Sequence, residues 1–294
     1  NDAELIGNVV VKQDSITIIG EKGFYYGDIR KAVCTTGVTL DDGKVILSAH
    51  IGEYYFNDDI AYFSQDVKLY DTVSTLTSDF LTYYQKENKA VAVNNVNIED
   101  KGGIIKADSL IHYRDEKNTF AFNNVLLINL NNNLRIYGHH LEDYAAKNFT
   151  VIENEPLLIQ IDTTDNGTID TLLISALRME AFRDTADIFI AIDSVNLYRS
   201  NFSSKNNFTK FFRDEDKIVT FKKDNLIPVL WIDNSQLSGD SITIYLEDDN
   251  IKKLEVDRNG FLLSQHDIYK IRYDQISGEK FIMHFDESKL IRTE

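Results

Sequence analysis

The chain has 294 residues, 43% of them hydrophobic, and a formal net charge of −16. Nucleic-acid binding depends on Lys and Arg side chains that neutralise phosphates, so this excess of acidic residues argues against nucleic acid and against an anionic membrane surface as partners. A lipid ligand would have to be held by burial of apolar surface.

The chain contains a single cysteine, Cys34, which excludes an intrachain disulfide. It contains no run of 18 apolar residues, so the sequence predicts no membrane-spanning helix. Because the first residue is Asn rather than Met, we expect that a targeting segment has been removed.

The first predicted elements are β-strands joined by short turns. Residues 16–26, 33–40, 45–56 and 62–69 are rich in Val, Ile, Thr, Tyr and Phe, which is typical of strands. Turn-forming residues separate such segments at 41–43, 57–59, 87–88 and 115–118. Short turns between strands predict antiparallel hairpins. The stretch LEDYAAK at 141–147 has a helix-like composition, but it lies inside a repeat and we predict strand and turn there.

A 29-residue repeat relates these elements to one another. The clearest columns hold Val9, Val38, Val67, Val96 and Val125, and Tyr26, Tyr55, Tyr84 and Tyr113. A small residue followed by a polar one recurs at the same spacing, the small residues being Gly20, Ala49, Ser78 and Ala107. A fixed period of this length is the signature of a repeat architecture. The column of Cys34 also holds Phe63, Ala92 and Ala121, which predicts a buried cysteine.

The alternation of apolar residues changes phase at the small-plus-polar step. Such a change predicts a β-bulge or bend at which the strand turns a corner, with the small residue on the inside. Long strands bent in this way and stacked on one another would form a trough or flattened barrel. We expect its lining to be Val9, Val11, Ile18, Val38, Leu40, Leu47, Phe63, Val67, Leu69, Leu76, Val96, Ile98, Ile105, Val125, Leu127 and Ile136.

The repeat loosens in the second half of the chain, where the units carry insertions. Repeat arrays bury their core between neighbouring units and need not divide into separate globules. We therefore expect one elongated repeat domain over residues 1–294, regular over 7–137 and irregular over 138–294.

These repeats resemble those of the OstA-like family. The segments GNVVVKQDSITIIGEKGFYY (7–26) and KADSLIHY (106–113) match its pattern, in which an Ala-Asp step and a Tyr precede a Gly-Asn-Val run. The family includes the periplasmic lipopolysaccharide-transport proteins LptA and LptC and the N-terminal domain of LptD. The stretch 229–265 resembles larger OstA-like proteins of the Bacteroidetes lineage, where a Trp and a Gly-Asp-Ser-Ile run recur.

The resemblance implies an all-β fold, a β-jellyroll or β-taco solenoid of stacked, bent antiparallel strands with an apolar interior groove. It implies a periplasmic protein of a Gram-negative bacterium that carries lipopolysaccharide or a related lipid in this groove, from the inner to the outer membrane. The implied partners are other Lpt-type bridge components, or a second copy joined end to end by strand pairing. No enzymatic activity, cofactor or metal is expected.

One segment is weighed as a calcium loop. DNGTID at 165–170 would offer oxygen ligands from Asp162, Asn166 and Asp170. A calcium loop of this kind requires acidic residues at the positions of Thr164 and Leu173. In addition, Asn-Gly is a strong turn signal. A turn is therefore the favoured interpretation.

Three further features have plainer interpretations than a site. His139 and His140 are adjacent, and neighbouring residues on a strand point to opposite faces, so they are not expected to share a metal. Trp231 is interpreted as a core anchor rather than part of a lipid path. Tyr25, Tyr26 and their repeats are interpreted as stacking between neighbouring strands rather than as a ligand platform.

The sequence shows no nucleophile elbow, Walker loop, zinc spacing or dinucleotide fingerprint, so no catalytic residue is predicted. Two non-enzymatic hypotheses stay open: a lipid bridge with an open groove, and a structural or adhesive cell-surface β-solenoid with a sealed core. An enzyme acting on polysaccharide along a solenoid face is the least favoured.

Overall fold

The computed structural model describes residues 2–13, 15–131, 133–163, 167, 169–183, 187–247, 250–266, 269, 271–286 and 289–294. The described chain is almost entirely β-structure, with 25 strands in one antiparallel sheet. The strands are Asp2–Gln13 (β1), Ile16–Tyr26 (β2), Lys31–Cys34 (β3), Val38–Asp41 (β4), Ile46–Ala49 (β5), Ile51–Tyr55 (β6), Ile60–Tyr70 (β7), Thr75–Tyr84 (β8), Lys89–Glu99 (β9), Gly103–Tyr113 (β10), Asn118–Asn129 (β11), Leu134–Tyr144 (β12), Phe149–Glu153 (β13), Leu157–Thr163 (β14), Ile169–Ser175 (β15), Arg178–Phe182 (β16), Ile188–Arg199 (β17), Phe202–Phe212 (β18), Lys217–Phe221 (β19), Val229–Ile232 (β20), Ser235–Ser238 (β21), Ser241–Glu247 (β22), Asn250–Gln265 (β23), Tyr273–Asp286 (β24) and Lys289–Thr293 (β25). The predicted all-β class and the stacking of bent antiparallel strands are confirmed.

The helical content of the described residues is limited to three 3-10 turns, Gln85–Glu87, Ala145–Lys147 and Arg213–Glu215. The helix-like stretch at 141–147 is the end of β12 followed by one of these turns, as predicted. None of the helices among the described residues has the length and apolar character needed to cross a membrane.

The chain divides into two compact units. The first comprises residues 1–131 and 139–147, and the second comprises residues 132–138 and 148–294. The border thus falls close to the point at which the 29-residue period ends.

Alternate long strands of the first unit, β1, β7, β9 and β11, each bend where two consecutive residues adopt the left-handed conformation. In β7 these are Gln65 and Asp66, with φ of 66° and 53°. The pairing with β8 shifts here, so that the two residues lie opposite Asp79 alone. The sequence predicted a bend at this small-plus-polar step, Ser78-Asp79, and the bend is confirmed, although the extra residue belongs to the facing strand.

Asparagine occupies the same corner in the next two repeats. Asn95 in β9 has a φ of 51°, and its side chain donates a 2.8 Å hydrogen bond to Asp79. Asn124 in β11 has a φ of 49° and donates a 2.8 Å hydrogen bond to Asp108. Asn tolerates the left-handed region better than most residues because its short polar side chain bonds locally. The residues that recur in the repeat therefore determine where the strand bends.

The corners divide the first unit into two arms. Arm 1 comprises residues 9–13, 16–20, 38–41, 46–49, 67–70, 75–78, 96–99, 103–107 and 125–129. Arm 2 comprises residues 2–6, 22–26, 31–34, 51–55, 60–64, 80–84, 89–93, 109–113 and 118–122.

The second unit repeats the bent strands with less regular spacing. Asp193 and Ser194 form the left-handed corner of β17, and Arg258 and Asn259 form that of β23. Its core is aliphatic, with Leu197, Ile218, Leu230, Ile244, Leu254 and Val256 fully buried. Gly239 stands at a small-plus-polar step, where a Cβ would lie 2.5 Å from a methyl of Val256, so only a glycine fits without a shift of its neighbours.

Candidate functional site

The sequence-predicted lining residues all point away from solvent. Twelve of them are buried: Val9, Ile18, Val38, Leu40, Leu47, Phe63, Val67, Leu69, Leu76, Val96, Val125 and Ile136. The remaining four are half-buried: Val11, Ile98, Ile105 and Leu127. All except Phe63 and Ile136 lie on arm 1; Phe63 lies on arm 2, and Ile136 belongs to the second unit.

The interior of the first unit has a second wall that the sequence reasoning largely missed. Arm 2 contributes small buried residues on one set of strands, Ala32, Cys34, Ala61, Ala90, Ala92 and Ala121. It contributes large buried residues on the alternate strands, Tyr54, Leu81, Tyr83 and Leu110. The 29-residue column of Ala32, Ala61 and Ala90 was a readable signal of this wall. The prediction that Cys34 is buried is confirmed.

The two arms face each other and their side chains fill the space between them. Leu40 and Leu47 of arm 1 and Leu110 of arm 2 have no exposed surface, and Leu81 is 2% exposed. A cavity between the arms is lined by Leu69, Leu76 and Ile98 on one side and by Tyr83, Ala90 and His112 on the other. Its volume is about 20 Å³, which suffices for one water molecule. In this form the interior is apolar and packed.

Polar groups join the free ends of the two arms. The hydroxyl of Tyr83, on arm 2, donates a 2.9 Å hydrogen bond to the carboxylate of Asp42, in a turn at the end of arm 1. The guanidinium of Arg114, at the end of arm 2, donates a 3.0 Å hydrogen bond to the carbonyl of Lys44 in the same turn. Burial and the adjacent Asp42 carboxylate raise the pKa of Tyr83, so its hydroxyl stays a donor.

A second pair of groups lies beside this junction. Burial lowers the pKa of His112, against the opposing charge of Asp71, and the ring lies 3.0 Å from the hydroxyl of Thr119. Burial alone would raise the pKa of Asp71, but backbone N–H groups of Val73 and Ser74 and the Arg114 charge outweigh it and lower that pKa. His112 is therefore neutral and Asp71 ionised at neutral pH.

The segment weighed as a calcium loop lies partly outside the described residues, including Asn166 and the side chain of Asp162. Asp170 is described, and its carboxylate accepts hydrogen bonds from Arg199 and Ser200. These bonds and the Arg199 charge lower the pKa of Asp170 although burial opposes them. Asp170 thus ties β15 to the end of β17 and the turn that follows it.

The two adjacent histidines are separated as predicted. His139 is exposed, whereas His140 lies 3.0 Å from Glu142 and packs against the ring of Phe122. Within the described parts of the chain, no cluster of three or more His, Cys, Asp or Glu side chains could hold a metal ion.

The interpretation of Trp231 as a core anchor was wrong. Its neighbours Leu230 and Ile232 are buried, and alternation along β20 turns the indole outward, where it is 37% exposed. Its ring N–H donates a 3.1 Å hydrogen bond to Gln236 on β21. The scarcity of Trp and the preceding proline suggested a core position, but the phase of the short strand decides the face.

The tyrosine pairs split between the two faces of arm 2. Tyr54 is buried and packs edge-on against Phe56, with ring centroids 4.8 Å apart. Tyr55 lies on the outer face, edge-on to Tyr62 of the next strand at 5.6 Å and beneath the ammonium of Lys31. The Tyr55–Tyr62 contact is stacking between strands, as predicted, whereas the Tyr54–Phe56 contact lies within one segment of the chain.

Comparison with known protein families gives a match over part of the chain. The sequence profile of a family described as OstA-like protein matches residues 1–106. No curated protein sequence matches the chain significantly. The matched segment covers most of the regular repeats of the first unit, including the larger part of each arm and the Asp42–Tyr83 bond. Residues 1–106 therefore match the family that the repeats resemble.

Proposed function

We propose that the protein binds lipid between the two arms of its first unit and acts as a non-enzymatic bridge for lipopolysaccharide between the inner and outer membranes. The OstA-like family is in general periplasmic and belongs to lipid transport, which sets the context. The observation that carries the proposal is the apolar interior, which runs unbroken through every repeat of the unit.

The energetics suit acyl chains. Each methylene moved from water into an apolar interior is worth about 0.8 kcal/mol, so a single acyl chain supplies substantial affinity without any charged contact. The net charge of −16 offers no general attraction for lipid phosphates. Apolar burial is therefore the source of binding.

The first strand supports the proposed end-to-end assembly. β1 is exposed along almost its whole length, with Ile6 75% and Val10 52% exposed. A strand of this kind, left uncovered, is a template for pairing with another chain. We propose that a like domain, either a second copy or another bridge component, adds to this strand.

A structural β-solenoid with a sealed core is the second candidate, and the packing favours it. Leu40, Leu47 and Leu110 leave no room for an acyl chain while the arms are closed. The two candidates differ in whether the arms part to admit a ligand.

Lipid retention by the purified protein tests the proposal. After incubation with lipopolysaccharide and removal of free lipid by gel filtration, we expect lipid to stay with the wild type. A charge in the interior, Leu76→Asp, should reduce retention several-fold, whereas Thr77→Asp on the outward side of the same strand should not. If Leu76→Asp fails to fold, Leu127→Asp at a half-buried position replaces it.

Wild-type protein that retains no lipopolysaccharide would overturn the proposal in favour of the sealed solenoid. Equal retention by the interior and outward variants would show that lipid binds elsewhere on the molecule.

A further inference from the structure

We infer that Asp42, Lys44, Tyr83 and Arg114 form a clasp that holds the arms of the first unit closed, and that acyl chains enter sideways between the arms when the clasp opens. This inference rests on the proposed lipid function for its biological meaning. The clasp itself follows from contacts between residues that are far apart in the sequence.

The two bonds of the clasp join the free ends of the arms. Asp42 is held in its turn by backbone N–H groups of Lys44 and Val45, each 2.8 Å from its Oδ1, which leaves Oδ2 to accept from Tyr83. Arg114 reaches the same turn from 70 residues along the chain. Both bonds span the opening between the arms, so parting the arms must break them.

The two positions that form the Tyr83–Asp42 bond recur with the 29-residue period. Tyr83 and Asp42 are 41 residues apart, since 83 − 42 = 41, and His112 and Asp71 have the same spacing, since 112 − 71 = 41. In both pairs an inward side chain of arm 2 meets an acid in a turn of arm 1, and the charge of Asp71 acts on His112. The same two positions therefore face each other in two successive repeats.

The cavity places the clasp directly over the apolar interior. Tyr83 and Arg114 line it together with Leu69, Leu76 and Ile98, which belong to the predicted lipid lining. Among the described residues, the buried Nη1 of Arg114 has no hydrogen-bond partner. A buried donor without a partner destabilises the closed state relative to an open one, in which water reaches the guanidinium.

The native thiol of Cys34 reports opening without any lipid. It is 3% exposed at the end of β3, in the interior between the arms, so we expect an alkylating reagent to reach it faster when the arms part. Tyr83→Phe and Arg114→Met each remove one clasp bond. We expect each to speed alkylation of Cys34 in the folded protein by roughly two- to ten-fold, the factor by which one net hydrogen bond shifts an equilibrium.

Matched variants separate the clasp from general loosening. Tyr55→Phe removes a tyrosine hydroxyl bond, to Glu53, on the outer face of arm 2. Arg30→Met removes an arginine bond, to Asn57, within the turns of arm 2 alone. Neither should change the alkylation rate. Clasp variants that alkylate no faster than these controls would overturn the clasp, whatever the outcome for lipid.

A covalent bridge tests sideways entry. In a Cys34→Ala background, cysteines at positions 42 and 83 joined by a short bis-maleimide should abolish uptake of lipopolysaccharide, and the unbridged form should keep it. Bridging cysteines at Glu87 and Glu116, both in turns of arm 2, should leave uptake unchanged. Uptake by the 42–83 bridged protein would overturn sideways entry. No uptake by the wild type would instead refute the lipid function. The alkylation rates would then still test whether the clasp holds the arms closed.

Discussion

Single residues of the repeat show how one position serves different chemistry in successive units. Tyr83 and His112 are 29 residues apart, and both point from arm 2 into the interior near an acid of arm 1. Tyr83 donates to Asp42 as a neutral hydroxyl, whereas His112 is kept neutral by burial. A tyrosine keeps this role at any physiological pH, and a histidine does not.

His112 should make the stability of the protein depend on pH. Its pKa is lowered in the folded state, while the unfolded chain has an ordinary histidine pKa of about 6.5. The unfolded state therefore binds more protons between the two values, so stability is fully present above about pH 6.5 and is lost as the pH falls towards the folded pKa. Melting temperatures measured from pH 7.5 to 5.5 should fall.

The variant His112→Tyr carries the residue found at this position in the two preceding repeats, Tyr54 and Tyr83, and its melting temperature should fall less over that range. Exposed His139→Tyr should behave like the wild type. The lowered pKa values of Asp71 and Asp170 affect stability only below about pH 4. They therefore do not contribute to the change between pH 7.5 and 5.5. Parallel pH profiles for His112→Tyr and the wild type would contradict the role assigned to this side chain.

The residue scale also shows what the sequence could predict. Large apolar residues at a strict period identified most of arm 1, because alternation on a regular strand leaves little choice of face. Arm 2 was mostly missed because half of its lining is alanine and the other half includes Tyr and His. The presence of these residue types does not by itself predict that a position is buried. Trp231 was misplaced because a four-residue strand contains too few apolar residues to fix its phase.

At the scale of elements, the corner decides the shape of every repeat. A strand can bend there because two consecutive residues take positive φ, and the small residue opposite leaves room on the inside. The sequence predicted where the strands bend but assigned the irregularity to the wrong strand. Asn is abundant throughout the chain, so the pairs Asn94-Asn95 and Asn123-Asn124 did not stand out as turn-forming.

Asn95 provides a test of this corner. Asn95→Gly should change the free energy of unfolding little, because glycine accepts the left-handed conformation without steric cost. Asn95→Val should cost about 1–2 kcal/mol for the conformation and a further ~1 kcal/mol for the lost bond to Asp79. Urea denaturation measures both.

The control for the corner is Asn97→Val, two residues further along the same strand. Asn97 is half-buried in extended β9 and pairs regularly with Thr77, so valine should be tolerated. If Asn95→Val and Asn97→Val were equally stable, the left-handed corner would not be what holds the bend.

At the scale of the whole molecule, the 29-residue period was the most informative feature of the sequence. It fixed the all-β class, the hairpins and the bends of the first unit, because one pattern was repeated often enough to average out local ambiguity. The second unit was harder to foresee, since its insertions break the period and its corners use Asp-Ser and Arg-Asn in place of Asn-Asn. Whether the interior opens is a property of the closed packing and the clasp, which periodicity does not report.

Photocrosslinking in cells that make the protein tests the lipid-binding interior most directly. A photoreactive amino acid at Leu76 samples arm 1, and one at Leu81 samples arm 2; both positions are buried. Phe80 is the matched control, because it neighbours Leu81 on β8 but points to the outer face and is 52% exposed. We predict lipopolysaccharide adducts at Leu76 and Leu81 and none at Phe80. Folded protein that gives no adduct at either interior position, or gives equal adducts at Phe80, would contradict lipid transport between the arms.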